Sequence, residues 1–254
     1  MVPLWSQAAF WGLVAGSALV LGAAIAYFTD LPHRLIAAIM GFGAGVLISV
    51  LSFELLEEAY TEGGFGPATA GFLGGAALFS AVNWYLSRRG AEHRKRCGGC
   101  VEQPAEADMP GSGLAIAVGA LLDGVPESIA VGLSLADGGA VSAVAVAGFF
   151  LANVPEGLSS AAGMKQAGRS AGYIFGIWSG IAVLSGVAAL LGYAVFGGFS
   201  PAVVAATTAL AAGGVLATLA ETMIPEAFDQ APHFIGLITA TGFLVAFTLT
   251  QLSG

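Results

Sequence analysis

The chain has 254 residues, of which 57% are hydrophobic and only 9% are charged, and its formal net charge is −8. Soluble domains usually carry about 25% charged residues, so this composition excludes an ordinary water-soluble domain. With 8 Lys and Arg against 16 Asp and Glu, the chain also lacks the basic surface that nucleic-acid binding requires.

Long apolar runs predict an all-α integral membrane protein with a single transmembrane domain over 1–254. A helix crosses a bilayer with about 20 apolar residues, and no alternating pattern typical of a β-barrel occurs. Because the N-terminus has no basic stretch and no cleavage site, we expect the first run to stay in the protein. The eight predicted spans are 5–28, 33–60, 65–87, 112–135, 138–164, 170–197, 200–228 and 232–252.

All basic residues fall on one side of this predicted topology. Lys and Arg accumulate in cytoplasmic loops, and the loops on the opposite side contain neither residue. The pattern therefore predicts a cytoplasmic loop at 88–111 and both termini outside. The basic residues of the loops after spans 1, 3, 5 and 7 are Arg34, Arg88, Arg89, Arg94, Lys95, Arg96, Lys165 and Arg169.

Spans 2 and 7 contain a similar stretch. A Gly-Val-Leu triplet begins at Gly45 ahead of Glu54 in span 2, and another begins at Gly214 ahead of Glu221 in span 7. The two spans run in opposite directions in the predicted topology, and inverted repeats are common in transporters with midplane sites. The alternative is chance recurrence in a glycine-rich chain.

Polar side chains lie near the centres of spans 4 and 5. Asp123 and Glu127 are four residues apart and share one face of span 4, and Asn153 and Glu156 share a face of span 5. A buried acid costs about 2.5–3.5 kcal/mol on insertion scales, and intramembrane acids are functional by default. Because a short loop joins the spans, we expect antiparallel neighbours whose polar faces converge. The alternatives are protonated acids that only join helices, and a proton relay.

Each of these two motifs contains a proline inside its helix. Pro126 cannot donate to the carbonyl of Leu122, and Pro155 cannot donate to that of Leu151. Freed carbonyls are tolerated at membrane depth where a cavity or a ligand satisfies them. Carboxylates and carbonyls together suit a hard divalent cation such as Mn²⁺ or Mg²⁺, and carboxylates also bind zinc.

The motifs Pro126-Glu127-Ser128 and Pro155-Glu156-Gly157, together with the predicted topology, resemble the ZIP family of zinc and iron transporters. The resemblance implies eight helices around a binuclear metal centre that Glu127 and Glu156 bridge. It also implies import of zinc, manganese, iron or magnesium through a bacterial inner membrane, with the metal as cargo and no prosthetic group.

The sequence departs from the family pattern at several ligand positions. Asp123 stands where the family usually has histidine, and Ala152 and Asn153 stand where it usually has His or Gln followed by an acid. The first metal position therefore keeps Asp123 and the two shared glutamates, and the second keeps only Asn153 and those glutamates. The candidate metal ligands are Asp123, Glu127, Asn153 and Glu156.

Further acids lie towards the ends of spans 2 and 7. Glu54, Glu57 and Glu58 are candidates for an outer entrance that attracts cations, although a solvated helix end is equally compatible with them. Glu221 and Glu226 are candidates for a cytoplasmic exit. We expect Glu226 to be interfacial and Glu221 to be the deeper and better candidate.

The predicted cytoplasmic loop contains His93, Cys97 and Cys100. This set resembles half of a zinc site, and family members often have a metal-binding loop here. Full tetrahedral coordination would need further ligands, so a flexible linker with an incidental cysteine pair is the alternative.

Divalent metal transport is the function that these features favour. The partners it implies are the metal ion, membrane lipid and a second copy in a homodimer. One alternative is a transport-dead metal sensor or scaffold. An intramembrane enzyme is disfavoured, because the sequence has no HExxH motif and Asp123 is the only aspartate deep in a span.

The two cysteines test the topology. Cys97 and Cys100 are the only cysteines of the chain, and both should react with a membrane-impermeant maleimide only after the cytoplasmic face is opened. Labelling of intact cells would reverse the predicted orientation.

Overall fold

The computed structural model describes residues 3–91, 112–136, 143–196, 198–230 and 233–253. Over these ranges the protein is helical, without strands. Eight helices are long and apolar enough to cross a membrane, which confirms the predicted fold class. These spans are Leu4–Phe28, His33–Gly63, Phe65–Arg89, Ile116–Leu135, Ala143–Gln166, Ala171–Phe196, Pro201–Asp229 and Ile235–Leu252.

Three spans change helical type along their length. Span 2 consists of the α-helix His33–Val50, the π-helical segment Leu51–Leu56 and the α-helix Glu57–Gly63. Span 7 consists of Pro201–Thr218, the π-helical segment Leu219–Met223 and Ile224–Gln230. Span 3 is the α-helix Phe65–Leu86, followed by the π-helical segment Ser87–Ala91. Spans 4 and 8 belong to the helices Ser112–Ala136 and Ile235–Ser253.

The arrangement of the spans supports the inverted repeat. Spans 2 and 7 are built in the same way. Each has an α-helix of 18 residues, then a π-helical segment, of 6 residues in span 2 and 5 in span 7, and then an α-helix of 7 residues. Their packing also corresponds, because span 2 packs against spans 8 and 5 while span 7 packs against spans 3 and 4. Spans 1–3 therefore correspond to spans 6–8, with spans 4 and 5 between them.

Glycines set the closest approaches between spans. A Cβ atom at Gly22 would overlap the carbonyl oxygen of Val154 in span 5, and one at Gly157 would overlap that of Leu19 in span 1. On the other side of the repeat, where span 4 takes the place of span 5, a Cβ atom at Gly132 of span 4 would overlap a carbonyl oxygen of span 6. Small residues let membrane helices approach closely, so span 5 is fixed against span 1 and span 4 against span 6.

Spans 4 and 5 are not each other's main neighbours. Span 4 packs mainly against spans 6 and 7, span 5 packs mainly against spans 1 and 2, and direct packing between spans 4 and 5 is slight. The expected close pairing of these two spans is therefore wrong, because glycine contacts direct each of them to another helix. Their prolines also face glycines of the flanking spans, Pro155 at Gly43 and Pro126 at Gly214.

The contact between spans 1 and 5 gives a stability test. Gly22→Ala places a methyl group on the backbone of span 5, and overpacking of this kind costs about 1–3 kcal/mol. We expect the unfolding temperature in detergent to fall by roughly 2–10 °C. Gly180→Ala is the matched control, because a Cβ atom at Gly180 meets nothing within 4 Å. An equal effect of both substitutions would contradict this account of the packing.

Candidate metal site

The acids of the two central motifs are buried inside the helical bundle. The exposed fractions are 3% for Asp123, 5% for Glu127 and 4% for Glu156. The helices continue through Pro126 and Pro155. Among the described residues, no Lys or Arg is buried. Neutralisation of these carboxylates must therefore come from protons, polar donors or a bound cation.

Asp123 is held by span 7. The Thr218 hydroxyl donates to Asp123 Oδ1 across 3.2 Å, and Thr218 is itself 4% exposed. Thr218 was not among the predicted site residues. It is nevertheless a hydroxyl residue inside an apolar span, one helical turn after Gly214.

Asn153 is held by span 1. Its side-chain Nδ2 donates to the carbonyl oxygen of Ala15 across 3.1 Å, and the side chain is 4% exposed. An amide has one acceptor oxygen, so this hydrogen bond fixes the amide with Oδ1 as the atom that could coordinate a cation.

The four candidate ligands are buried at the centres of spans 4 and 5 but are not gathered into a ready-made site. In the part of the chain that the structure describes, no group of three or more His, Cys, Asp and Glu side chains could hold a metal ion. Ser128 donates to the carbonyl of Gly124 at 2.8 Å, in its own helix. The convergence of Asp123, Glu127, Asn153 and Glu156 on one ion stays a prediction.

Two of the three candidate entrance acids share a narrow cleft. Glu54 and Glu58 line it from span 2, together with Val131 and Ser134 of span 4 and Phe149 of span 5. The cleft has a volume of about 10 Å³, which is about the room that one water molecule needs. A hydrated divalent cation does not fit in this cleft.

The third entrance candidate lies elsewhere. Glu57 is exposed and lines a separate cavity of about 500 Å³ between spans 2 and 3, beside Tyr60 and Phe65. Glu57 thus faces span 3, whereas Glu54 and Glu58 face spans 4 and 5.

The two exit candidates differ in burial within the bundle, and their depths in the membrane stay a prediction. Glu226 is 3% exposed, whereas Glu221 is exposed at the surface of spans 3 and 7. Ser80 Oγ and Asn83 Nδ2 donate to the Glu221 carboxylate, the latter across 2.8 Å. Glu221 lies inside the π-helical segment Leu219–Met223. A π turn holds more residues than an α turn, so an α-helical projection does not predict these faces.

Basic side chains join the loop ends of spans 1 and 5. Lys165 Nζ donates to the carbonyl of Tyr27 across 3.0 Å and contacts Asp30 Oδ1 at 3.1 Å. Lys165, Asp30 and His33 line a cavity of about 450 Å³ at this end of the bundle. The loops after spans 1 and 5 therefore lie at the same end of the bundle. The candidate loop contacts His93, Cys97 and Cys100 lie outside the described residues.

Comparisons with known proteins give a distant similarity. No family model matches the chain. A stretch of 130 residues is 27% identical to a protein named zinc transporter ZTP29 from Arabidopsis thaliana, covering 47% of this chain and 47% of that protein. The match thus spans about half the length of this relative.

Proposed function

We propose that this protein transports divalent metal ions across a membrane through a site formed by spans 4 and 5. The observation that carries the proposal is the burial of Asp123, Glu127 and Glu156 in two membrane-length helices, where the described residues bury no Lys or Arg. Intramembrane acids cost free energy, and a divalent cation would neutralise two of these charges. The similarity to a zinc transporter supports the same class of cargo.

The route that we propose runs from the cleft at Glu54 and Glu58 through the central acids to Glu226. Glu226 replaces Glu221 as the exit candidate because it is the buried one of the two. We place the end that carries Lys165 and the other basic residues in the cytoplasm. The proposed direction, import, rests on the resemblance to the ZIP family.

The donor set favours hard cations. Asp123, Glu127, Glu156 and Asn153 Oδ1 offer only oxygen, which suits Mn²⁺ and Mg²⁺ and removes part of the usual advantage of zinc. Carboxylates also bind zinc and iron, so the cargo that we propose is a divalent metal of this group with a preference for the harder ions.

A metal sensor or scaffold of the same fold is the second candidate. It is motivated by the departures from the family pattern at Asp123, Ala152 and Asn153. Uptake into proteoliposomes separates the two functions, because a sensor would bind metal without moving it.

Glutamine substitutions test the shared acids. Glu127→Gln and Glu156→Gln each remove a charge and keep the volume, so insertion and packing should survive. We expect uptake of Mn²⁺ and Zn²⁺ into proteoliposomes to fall by about tenfold or more, since loss even of an outer-shell partner costs about 10–100-fold.

The control for this test is Glu57→Gln, the same change at an exposed acid outside the cleft. It should retain the wild-type rate. Wild-type rates in either central variant would contradict the site, and metal binding by the wild type without uptake would favour the sensor.

Asp123 gives a test of ion preference. Asp123→His supplies an imidazole nitrogen, which suits zinc better than it suits manganese. In competition uptake, we expect the preference for Zn²⁺ over Mn²⁺ to rise severalfold. Asp123→Asn is the control, because it removes the charge but keeps an oxygen ligand, and it should weaken both ions without changing their ratio. An unchanged ratio in the histidine variant would remove Asp123 from the ligand set.

A further inference from the structure

The contact between Thr218 and Asp123 joins a side chain of span 7 to the proposed metal site. The two residues are 95 positions apart in the chain, their side-chain oxygens are 3.2 Å apart, and both are at most 4% exposed. A hydrogen bond to a carboxylate in such surroundings is stronger than one between neutral groups.

The position of Thr218 is fixed by the packing of spans 4 and 7. Gly214 lies against Pro126, where a Cβ atom would be 3.8 Å from the ring. Because the two helices are antiparallel in the predicted topology, the next turn brings Thr218 to Asp123. The carbonyl of Thr218 accepts the hydroxyl of Thr222 at 2.7 Å, which anchors this turn of span 7.

The hydroxyl of Thr218 has two acceptors and one proton. Asp123 Oδ1 lies at 3.2 Å and the carbonyl of Gly214 at 3.1 Å. A hydroxyl donates a single hydrogen, and an ionised carboxylate is the stronger acceptor of the two. The Asp123 contact is therefore the preferred one whenever Asp123 carries its charge.

We propose that Thr218 is a positioning residue that limits Asp123 to a single ligand oxygen, and this inference rests on the proposed function. The hydrogen bond holds Oδ1 towards Thr218, so bidentate binding, which needs both oxygens of Asp123 turned to the ion, would require the carboxylate to rotate against this bond. Ca²⁺ takes 6–8 oxygen ligands and often binds carboxylates in bidentate fashion, whereas Mg²⁺ demands near-octahedral geometry. Thr218 therefore favours smaller ions such as Mn²⁺ and Mg²⁺ over Ca²⁺.

The test measures Mn²⁺ uptake into proteoliposomes with Ca²⁺ as competitor. Thr218→Val keeps the shape of the side chain and removes the hydroxyl, and we expect Ca²⁺ to inhibit about tenfold more strongly, the lower end of the effect of one hydrogen bond to a charged group. Thr218→Ser keeps the hydroxyl and should restore the wild-type ratio. Thr208→Val is the control, because Thr208 is 3% exposed in the same span and should leave the ratio unchanged.

Each outcome decides a separate point. Absence of uptake of every divalent ion by the wild type would contradict the proposed function itself. If the wild type takes up Mn²⁺, an unchanged ratio in Thr218→Val overturns only the role of Thr218, and so does an equal shift in the serine variant or in Thr208→Val. Thr218→Ala provides a second variant without the hydroxyl, and failure of both hydroxyl-free variants to fold would make Thr218 structural and overturn the inference.

Discussion

The free-energy cost of carboxylates inside apolar helices is the constraint on which the rest of this structure depends. Spans 4 and 5 bury Asp123, Glu127 and Glu156, and the described residues bury no Lys or Arg that would offset their charge. Their orientation must then come from hydrogen bonds, and the rigidity of their helices from backbone contacts at glycines such as Gly22 and Gly132. A loosely packed bundle could not hold such groups at one depth, because water would follow them.

The two halves of the bundle share one packing scheme and differ in their polar contacts. A motif proline meets a glycine in both halves, Pro155 at Gly43 and Pro126 at Gly214. The polar partners differ, since the amide of Asn153 reaches a backbone carbonyl of span 1 whereas Asp123 receives a side-chain hydroxyl from span 7. A symmetric scaffold thus carries asymmetric polar contacts in its two halves.

Much of the fold was predictable from the sequence, because a bilayer imposes both helix length and hydropathy. The eight spans and the burial of Asp123, Glu127 and Glu156 follow from those constraints. The partners of spans 4 and 5 do not follow, since with 38 glycines in the chain the hydropathy pattern does not indicate which of them meet. The difference in burial between Glu221 and Glu226 was also not predictable, because it depends on a π-helical segment that has no clear sequence signal.

The π-helical segments of spans 2 and 7 affect how acids are matched between related proteins. A π turn accommodates about one residue more than an α turn, and one residue corresponds to about 100° around a helix. In a relative that lacks this additional residue, every side chain beyond the π-helical segment would lie on another face of the helix. A glutamate aligned with Glu226 in such a relative would therefore occupy a different surface. Whether these acids are equivalent in related proteins therefore depends on helix winding as much as on residue type. Insertion or deletion of a single residue in the π-helical segment can move an acid to another face of the helix without any substitution.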